Sequence, residues 1–147
     1  MSTAKVVVIQ GAGMDQRGKV QIEIFGPQTL EQINEQIKQA AASSNLQVEI
    51  FQSNDEVETV KFIKALEADE YVAGVINPSG FTPTTGPLPQ AIADTTFPFY
   101  EVHASNPHAR GVKSTILPVC KGGICGFGYA GYGMVLQAVA QTLTGRN

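Results

Sequence analysis

Apolar residues follow two rhythms along this chain, short β-branched runs and longer stretches with helical spacing. Residues 4–10 read Ala-Lys-Val-Val-Val-Ile-Gln, where β-branched residues run together without polar alternation. That pattern predicts a strand buried on both faces. A Gly-rich polar stretch over 11–28 follows and predicts a functional or mobile loop. Thr29 then stands as a helix N-cap with Gln32 at the capping-box position, and Leu30, Ile33, Ile37 and Ala41 share one face of the helix it opens. Val48 to Gln52 predicts a second strand. Ser53 with Glu56 reads as another capping box, ahead of a helix with Val57, Val60, Ile63 and Leu66 at core spacing. Further strands are predicted over Tyr71 to Asn77, over Phe97 to His103 and near Cys120. A short helix over Leu88 to Ala93 precedes the fourth strand, and a helix from Tyr129 to Leu143 closes the pattern.

Strands alternating with helices imply an α/β fold, a five-stranded parallel sheet with helices on both faces, built as a single domain over 1–147. The flavodoxin-like strand order 2-1-3-4-5 is the expected arrangement. Ligands of such sheets bind beyond the carboxyl ends of the strands. The loops over 11–28, 77–87 and 103–117 therefore converge on one crevice, and their polar residues are the ones that matter.

Composition narrows the field. With 43% hydrophobic and 16% charged residues in 147, the chain has the makings of one globular core. A net charge of −3 offers no basic footprint, which argues against a nucleic-acid or anionic-membrane partner. No run reaches bilayer-spanning length, and the opening Met-Ser-Thr-Ala-Lys lacks a signal h-region, so a soluble, cytoplasmic protein is expected. Cys120 and Cys125 are not spaced as CxxC, and no second pair of thiols or histidines completes a metal site. They read as reduced thiols, and neither metal nor cofactor is expected. Gly11-Ala12-Gly13 lacks both GxGxxG and the Walker Lys-Ser/Thr, which weakens a nucleotide reading. The Gly-dense segment from Cys120 to Tyr129 reads as backbone packing ahead of the last helix.

Chemistry concentrates in Glu101-Val-His103-Ala-Ser105-Asn106-Pro-His108-Ala-Arg110. Just beyond a strand end, it gathers both histidines, an arginine and hydrogen-bonding side chains. One reading is a site for an oxyanion or carboxylate with a histidine as proton donor; the other is a polar turn whose side chains cap backbone groups. Location and composition together favour the first. Asn77, ending the third predicted strand, either hydrogen-bonds the same ligand or opens an Asn-Pro turn. His108, after a proline, is expected at the surface or a subunit contact.

Several patches resemble the type II 3-dehydroquinate dehydratases. They are Val-Ile-Gln-Gly at 8–11, Phe-Gln-Ser-Asn at 51–54, Gly-Val-Ile-Asn-Pro at 74–78, the 101–110 segment, and Lys-Gly-Gly-Ile-Cys-Gly-Phe-Gly-Tyr-Ala-Gly-Tyr at 121–132. The likeness runs nearly end to end. It implies a flavodoxin-like fold assembled as trimers into a dodecamer, and an enzyme that removes water from 3-dehydroquinate through an enolate, without cofactor or metal. In that mechanism a tyrosine, made more acidic by an arginine, takes the proton beside the ketone, and a histidine protonates the departing hydroxyl. By this resemblance His103 is the general acid, Asn77 binds substrate, Ser105 with the amide of Ala104 forms the carboxylate-binding turn, and Arg110 is the site arginine.

Other positions depart from the family pattern. Where the family has Asn-Gly-Pro-Asn, this chain has Gln10-Gly11-Ala12-Gly13. Aligning the next glycine on Gly26 puts Phe25 at the tyrosine and Val20 at its activating arginine. Pro83 replaces a site histidine, and Gln90 an acidic residue that reaches a neighbouring subunit. Beyond Arg110 the loop is shorter, with Lys113 nearest to a second arginine. Phenylalanine cannot accept a proton in any environment. The nearest residues able to stand in are Arg17, Glu23, Tyr100 and Tyr129. Three readings follow: a divergent member that binds a small polar carboxylate with weak or no dehydratase activity, a working dehydratase with substituted groups, and a non-catalytic assembly or regulatory partner of a paralogue.

Overall fold

The computed structural model describes residues 3–144. Its strands are β1 (Ala4–Ala12), β2 (Leu46–Gln52), β3 (Ala73–Ser79), β4 (Phe99–His103) and β5 (Gly122–Cys125), and its helices α1 (Ile22–Phe25), α2 (Leu30–Ser43), α3 (Glu56–Lys64), α4 (Leu88–Ala93) and α5 (Ala130–Leu143). All four strand pairings are parallel, in the order β2-β1-β3-β4-β5. The flavodoxin-like α/β architecture expected from the sequence is the one observed.

Strand side chains alternate between two cores. On one side Val6, Val8, Val75 and Val102 pack with Ile33 and Ile37 of α2 and with Tyr132 and Leu136 of α5. On the other, Val7, Ile9, Ile76 and Phe99 pack with Val60 and Ile63 of α3 and with Leu88 and Ile92 of α4. Burial on both faces explains why β1 shows no polar alternation. Thr29 caps α2 as expected: its hydroxyl accepts from the Gln32 amide at 3.2 Å, and the Gln32 side chain accepts from the Thr29 amide at 3.0 Å.

Several boundaries and roles shift. Asp55, not Ser53, caps α3, accepting from the Val57 and Glu58 amides at 2.9 and 3.3 Å. Glu56 is thereby freed to hold the loop beyond β3, accepting from the Leu88 amide at 2.9 Å and from the Thr84 hydroxyl. Val57, expected in the core, is 55% exposed, because the buried face of α3 is carried by Thr59, Val60 and Ile63. Asn77 does not end β3, which continues through Pro78 to Ser79. The Gly-dense segment after Cys120 is itself β5 rather than mere packing ahead of the last helix, and both cysteines are free thiols. The 11–28 stretch carries a single 3-10 turn, Met14–Gln16, and the four-residue α1. Among the described residues, no helix is long and apolar enough to cross a membrane.

At the carboxyl end of the central strands β1 and β3 approach closely. A Cβ on Gly11 would lie 2.0 Å from the Pro78 carbonyl oxygen, which only glycine avoids. Gly11→Ala should therefore force the strand tips apart and cost about 1–3 kcal/mol. Gly122→Ala, whose added Cβ meets nothing within 4 Å, should stay within about 0.5 kcal/mol of wild type. Urea unfolding of the two variants side by side checks both.

Candidate functional site

Strand ends and loops enclose a cavity of about 320 Å³ whose walls include Arg17, Phe25, Asn77, Ser79, His103 and Arg110. That volume suits a small ligand. Ala12, Thr82, Pro83, Ala104, Ser105 and Val112 complete much of its lining. Residues from all three loops named by sequence thus meet in one crevice beyond the sheet.

Its floor is a buried polar knot. The Tyr132 hydroxyl donates to Gln10 Oε1 at 2.6 Å and accepts from Asn77 Nδ2 at 3.0 Å, while Gln10 Nε2 donates to Asn34 at 3.2 Å. Gln10, Asn77 and Tyr132 are all within 3% of full burial. Burial raises the Tyr132 phenol well above its ordinary range, so it stays a neutral donor. Asn77 is therefore first a structural link, and its Oδ1 also accepts from the Ser79 amide at 3.2 Å. Only its edge on the cavity remains for a ligand.

On the opposite face of the sheet, Glu101 and His103 sit two residues apart on β4 and so point the same way. His103 Nε2 lies 3.0 Å from Glu101 Oε1, off the line that a ring N–H needs for a straight hydrogen bond. Glu101 Oε2 accepts from the Ser114 hydroxyl at 2.6 Å, and Ser114 Oγ in turn accepts from the amides of Ile116 and Leu117. This chain of contacts orients the imidazole against the cavity wall. The loop carrying Ser114 is fastened to the β3 loop, where Thr115 donates to the carbonyls of Thr82 and Thr84.

Ser105 and Arg110 pair through a 2.9 Å hydrogen bond from Arg110 Nη1 to the serine Oγ. The turn between them is a 3-10 helix, Pro107–Arg110, capped by Asn106 through the His108 amide at 3.1 Å. The polar-turn reading holds for Asn106, while Ser105 and Arg110 line the cavity. His108 is exposed.

Arg17 changes the picture most. Only 6% exposed, it sends Nη2 to the Ser79 hydroxyl at 3.0 Å and lays its guanidinium carbon 3.7 Å from the Phe25 ring centroid. Burial lowers its pKa, against the opposing pull of the neighbouring Tyr129 and Tyr132 phenols. Burial likewise raises the Tyr129 phenol, more than Arg17 lowers it.

Other sequence-level candidates lie elsewhere. Val20 is 49% exposed. Glu23, Lys113 and Gln90 are exposed, the last bonded to Asp94 at 2.8 Å. Tyr100 packs against the α2–α5 core. Gly13 adopts a left-handed φ of 91° and gives its amide to Asn54 at 2.9 Å, a backbone role that needs no side chain. Ser79 and Tyr132 carry no local sequence signal, because their value lies in contacts across 55 or more residues. Among the described residues, no group of three or more His, Cys, Asp or Glu is placed to hold a metal.

Comparison with known proteins agrees with this architecture. The family model described as dehydroquinase class II matches residues 4–140. The 3-dehydroquinate dehydratase of Campylobacter jejuni is 40% identical over 141 residues, covering 93% of this chain and 87% of that protein. That of a Sulfurovum species is 40% identical over 143 residues, covering 95% and 88%. The crystal structure of type II dehydroquinase from Butyrivibrio crossotus superposes with a TM-score of 0.88 at 29% identity, covering 95% of this chain and 99% of that one. A 3-dehydroquinate dehydratase-like protein from Bifidobacterium longum gives 0.70 at 33% identity, covering 95% and 98%.

The knot beneath the cavity makes a direct prediction. Tyr132→Phe should leave the Asn77 and Gln10 amides without their shared partner and cost about 1–3 kcal/mol of stability. Denaturant unfolding should show a lower midpoint with an unchanged slope.

Proposed function

The chain belongs to the dehydroquinase class II family, and on that premise we propose that its cavity binds a small hydroxylated carboxylate, with His103 as proton donor and with ordinary dehydratase activity weak or absent. The observation that carries this reading is the ring of Phe25 on the cavity wall, at the position where the resemblance calls for a tyrosine base. The remaining groups suit a carboxylate. Arg110 and Ser105, already bonded to each other, present a cation and a hydroxyl on one side, with the Ala104 backbone next to them. Asn77 and His103 face the same space.

The dehydration needs two proton movements. A base removes the proton beside the ketone, leaving an enolate. An acid then protonates the hydroxyl as its C–O bond breaks, and water departs. His103, oriented by Glu101, meets the second requirement. Phe25 cannot meet the first.

A second reading is favoured by the relatives themselves, since proteins 40% identical to this chain are called 3-dehydroquinate dehydratases. In that case another group serves as base. Tyr129 is the phenol beside Arg17, but its burial raises its pKa and works against ionisation.

A tyrosine restored at 25 needs no second substitution beside it. Val20 lies on the surface, whereas Arg17 already stacks on the ring at 25, so the cation that a phenol there requires is in place. Turnover of 3-dehydroquinate, followed through the enone product at high enzyme concentration, should be very low in wild type. The single variant Phe25→Tyr should raise it by about 10²-fold or more, the usual worth of a general base. Robust wild-type turnover, abolished by His103→Ala, would instead establish the second reading.

Assembly follows the same resemblance: trimers building a dodecamer of 15.6 kDa chains. Light scattering behind size exclusion should return the twelve-chain mass. A monomer would remove the assembly reading while leaving the cavity as described.

A further inference from the structure

Arg17 has no counter-charge. Among the described residues, no carboxylate lies within ion-pair distance of it or of Arg110. No acidic side chain lines the cavity, whose ionisable walls are Arg17, Arg110 and His103. The Arg17 Nε is buried beside the Tyr129 hydroxyl without a well-aligned hydrogen bond, and that hydroxyl is left equally without one. A tyrosine at 25 would offer this guanidinium a phenolate. Phe25 offers only a ring face, and the neighbouring Tyr129 is kept neutral by burial.

Both arginines approach that one ring, with guanidinium carbons 3.7 and 5.7 Å from its centroid. They are thus no farther apart than those two distances laid end to end, a gap that two carboxylates on one small ring can bridge. Each also has its own serine: Ser79 for Arg17 at 3.0 Å and Ser105 for Arg110 at 2.9 Å. The result is two matched cation–hydroxyl pairs beside Phe25. Two like charges in one partly dry cavity repel, and a buried cation gains most from an anion brought by the ligand.

We infer that Arg17 with Ser79 forms a second anion subsite facing the Arg110–Ser105 pair, so that the ligand of this cavity is a small dicarboxylate. This rests on the reading that Arg110 and Ser105 take a carboxylate. It assigns Arg17 a part in choosing the substrate class, where the sequence had offered it only as a stand-in for the missing catalytic groups. A second carboxylate turns the unpaired cation from a cost into a selection device, since a monoacid leaves Arg17 uncompensated.

Isothermal titration of the full chain with cyclohexanecarboxylate and with cis-cyclohexane-1,3-dicarboxylate tests this. Wild type should bind the diacid about tenfold more tightly or better, the worth of one charge-assisted contact. Arg17→Gln should abolish that preference, and Ser79→Ala should reduce it in part. The wild-type comparison needs no variant to fold. Equal wild-type affinity for the two acids, or a preference that survives Arg17→Gln, would overturn the second subsite and leave carboxylate binding at Arg110 intact. No heat with either acid would overturn the subsite and the carboxylate reading together.

Discussion

The buried hydroxyl of Tyr132 is the contact on which the site's geometry rests. It ties the first turn of α5 to the tips of β1 and β3 at once, through Gln10 and Asn77. Each partner is buried, so each bond counts by what its absence would cost: an amide stranded away from water. The same two strand tips are drawn together at Gly11, where no side chain fits against Pro78. A rigid floor follows from these two constraints. Ser79, one residue past Pro78, is thereby fixed where Arg17 can reach it across the first loop.

Above that floor the sheet separates two kinds of polar group. Gln10 and Asn77 extend from the α2–α5 face and spend most of their hydrogen-bonding capacity on each other's neighbourhood. Glu101 and His103 extend from the α3–α4 face, backed by Ser114. The cavity opens where the two faces end. Its polar groups are therefore one-sided: amides and a tyrosine hold shape, while the imidazole is the group that the proposed reading uses for proton transfer.

Much of this was legible in the chain before any coordinates. Unbroken β-branched runs marked the double-sided sheet, and the Thr29–Gln32 box marked the start of α2, because both signals are local. The cluster from Glu101 to Arg110 marked the site for the same reason. Ser53 misled because a serine and an aspartate two residues apart both make good caps, and which one wins depends on how the chain leaves β2. Asn77 read as a loop residue because of the proline after it, yet the strand continues through that proline. Arg17 was visible only as a residue near Val20 and Phe25. That it lies beneath Phe25, bonded to a serine 62 residues away, is a tertiary fact with no local signature.

On the proposed reading, charge in the first loop is moved rather than lost. By resemblance, position 20 should carry the cation and position 25 the base; here Val20 is exposed, and Arg17 stacks on the ring of Phe25. A guanidinium stacked on a phenol lowers the phenol's pKa and is itself neutralised when the proton leaves. Stacked on phenylalanine it gains the attraction of the ring face but no compensating charge. Burial makes that imbalance matter, because a solvated arginine would be compensated by water and salt. On the proposed reading, Phe25 and the placement of Arg17 act together: the ring offers no proton acceptor, and the buried guanidinium beside it is left to be compensated by an incoming anion.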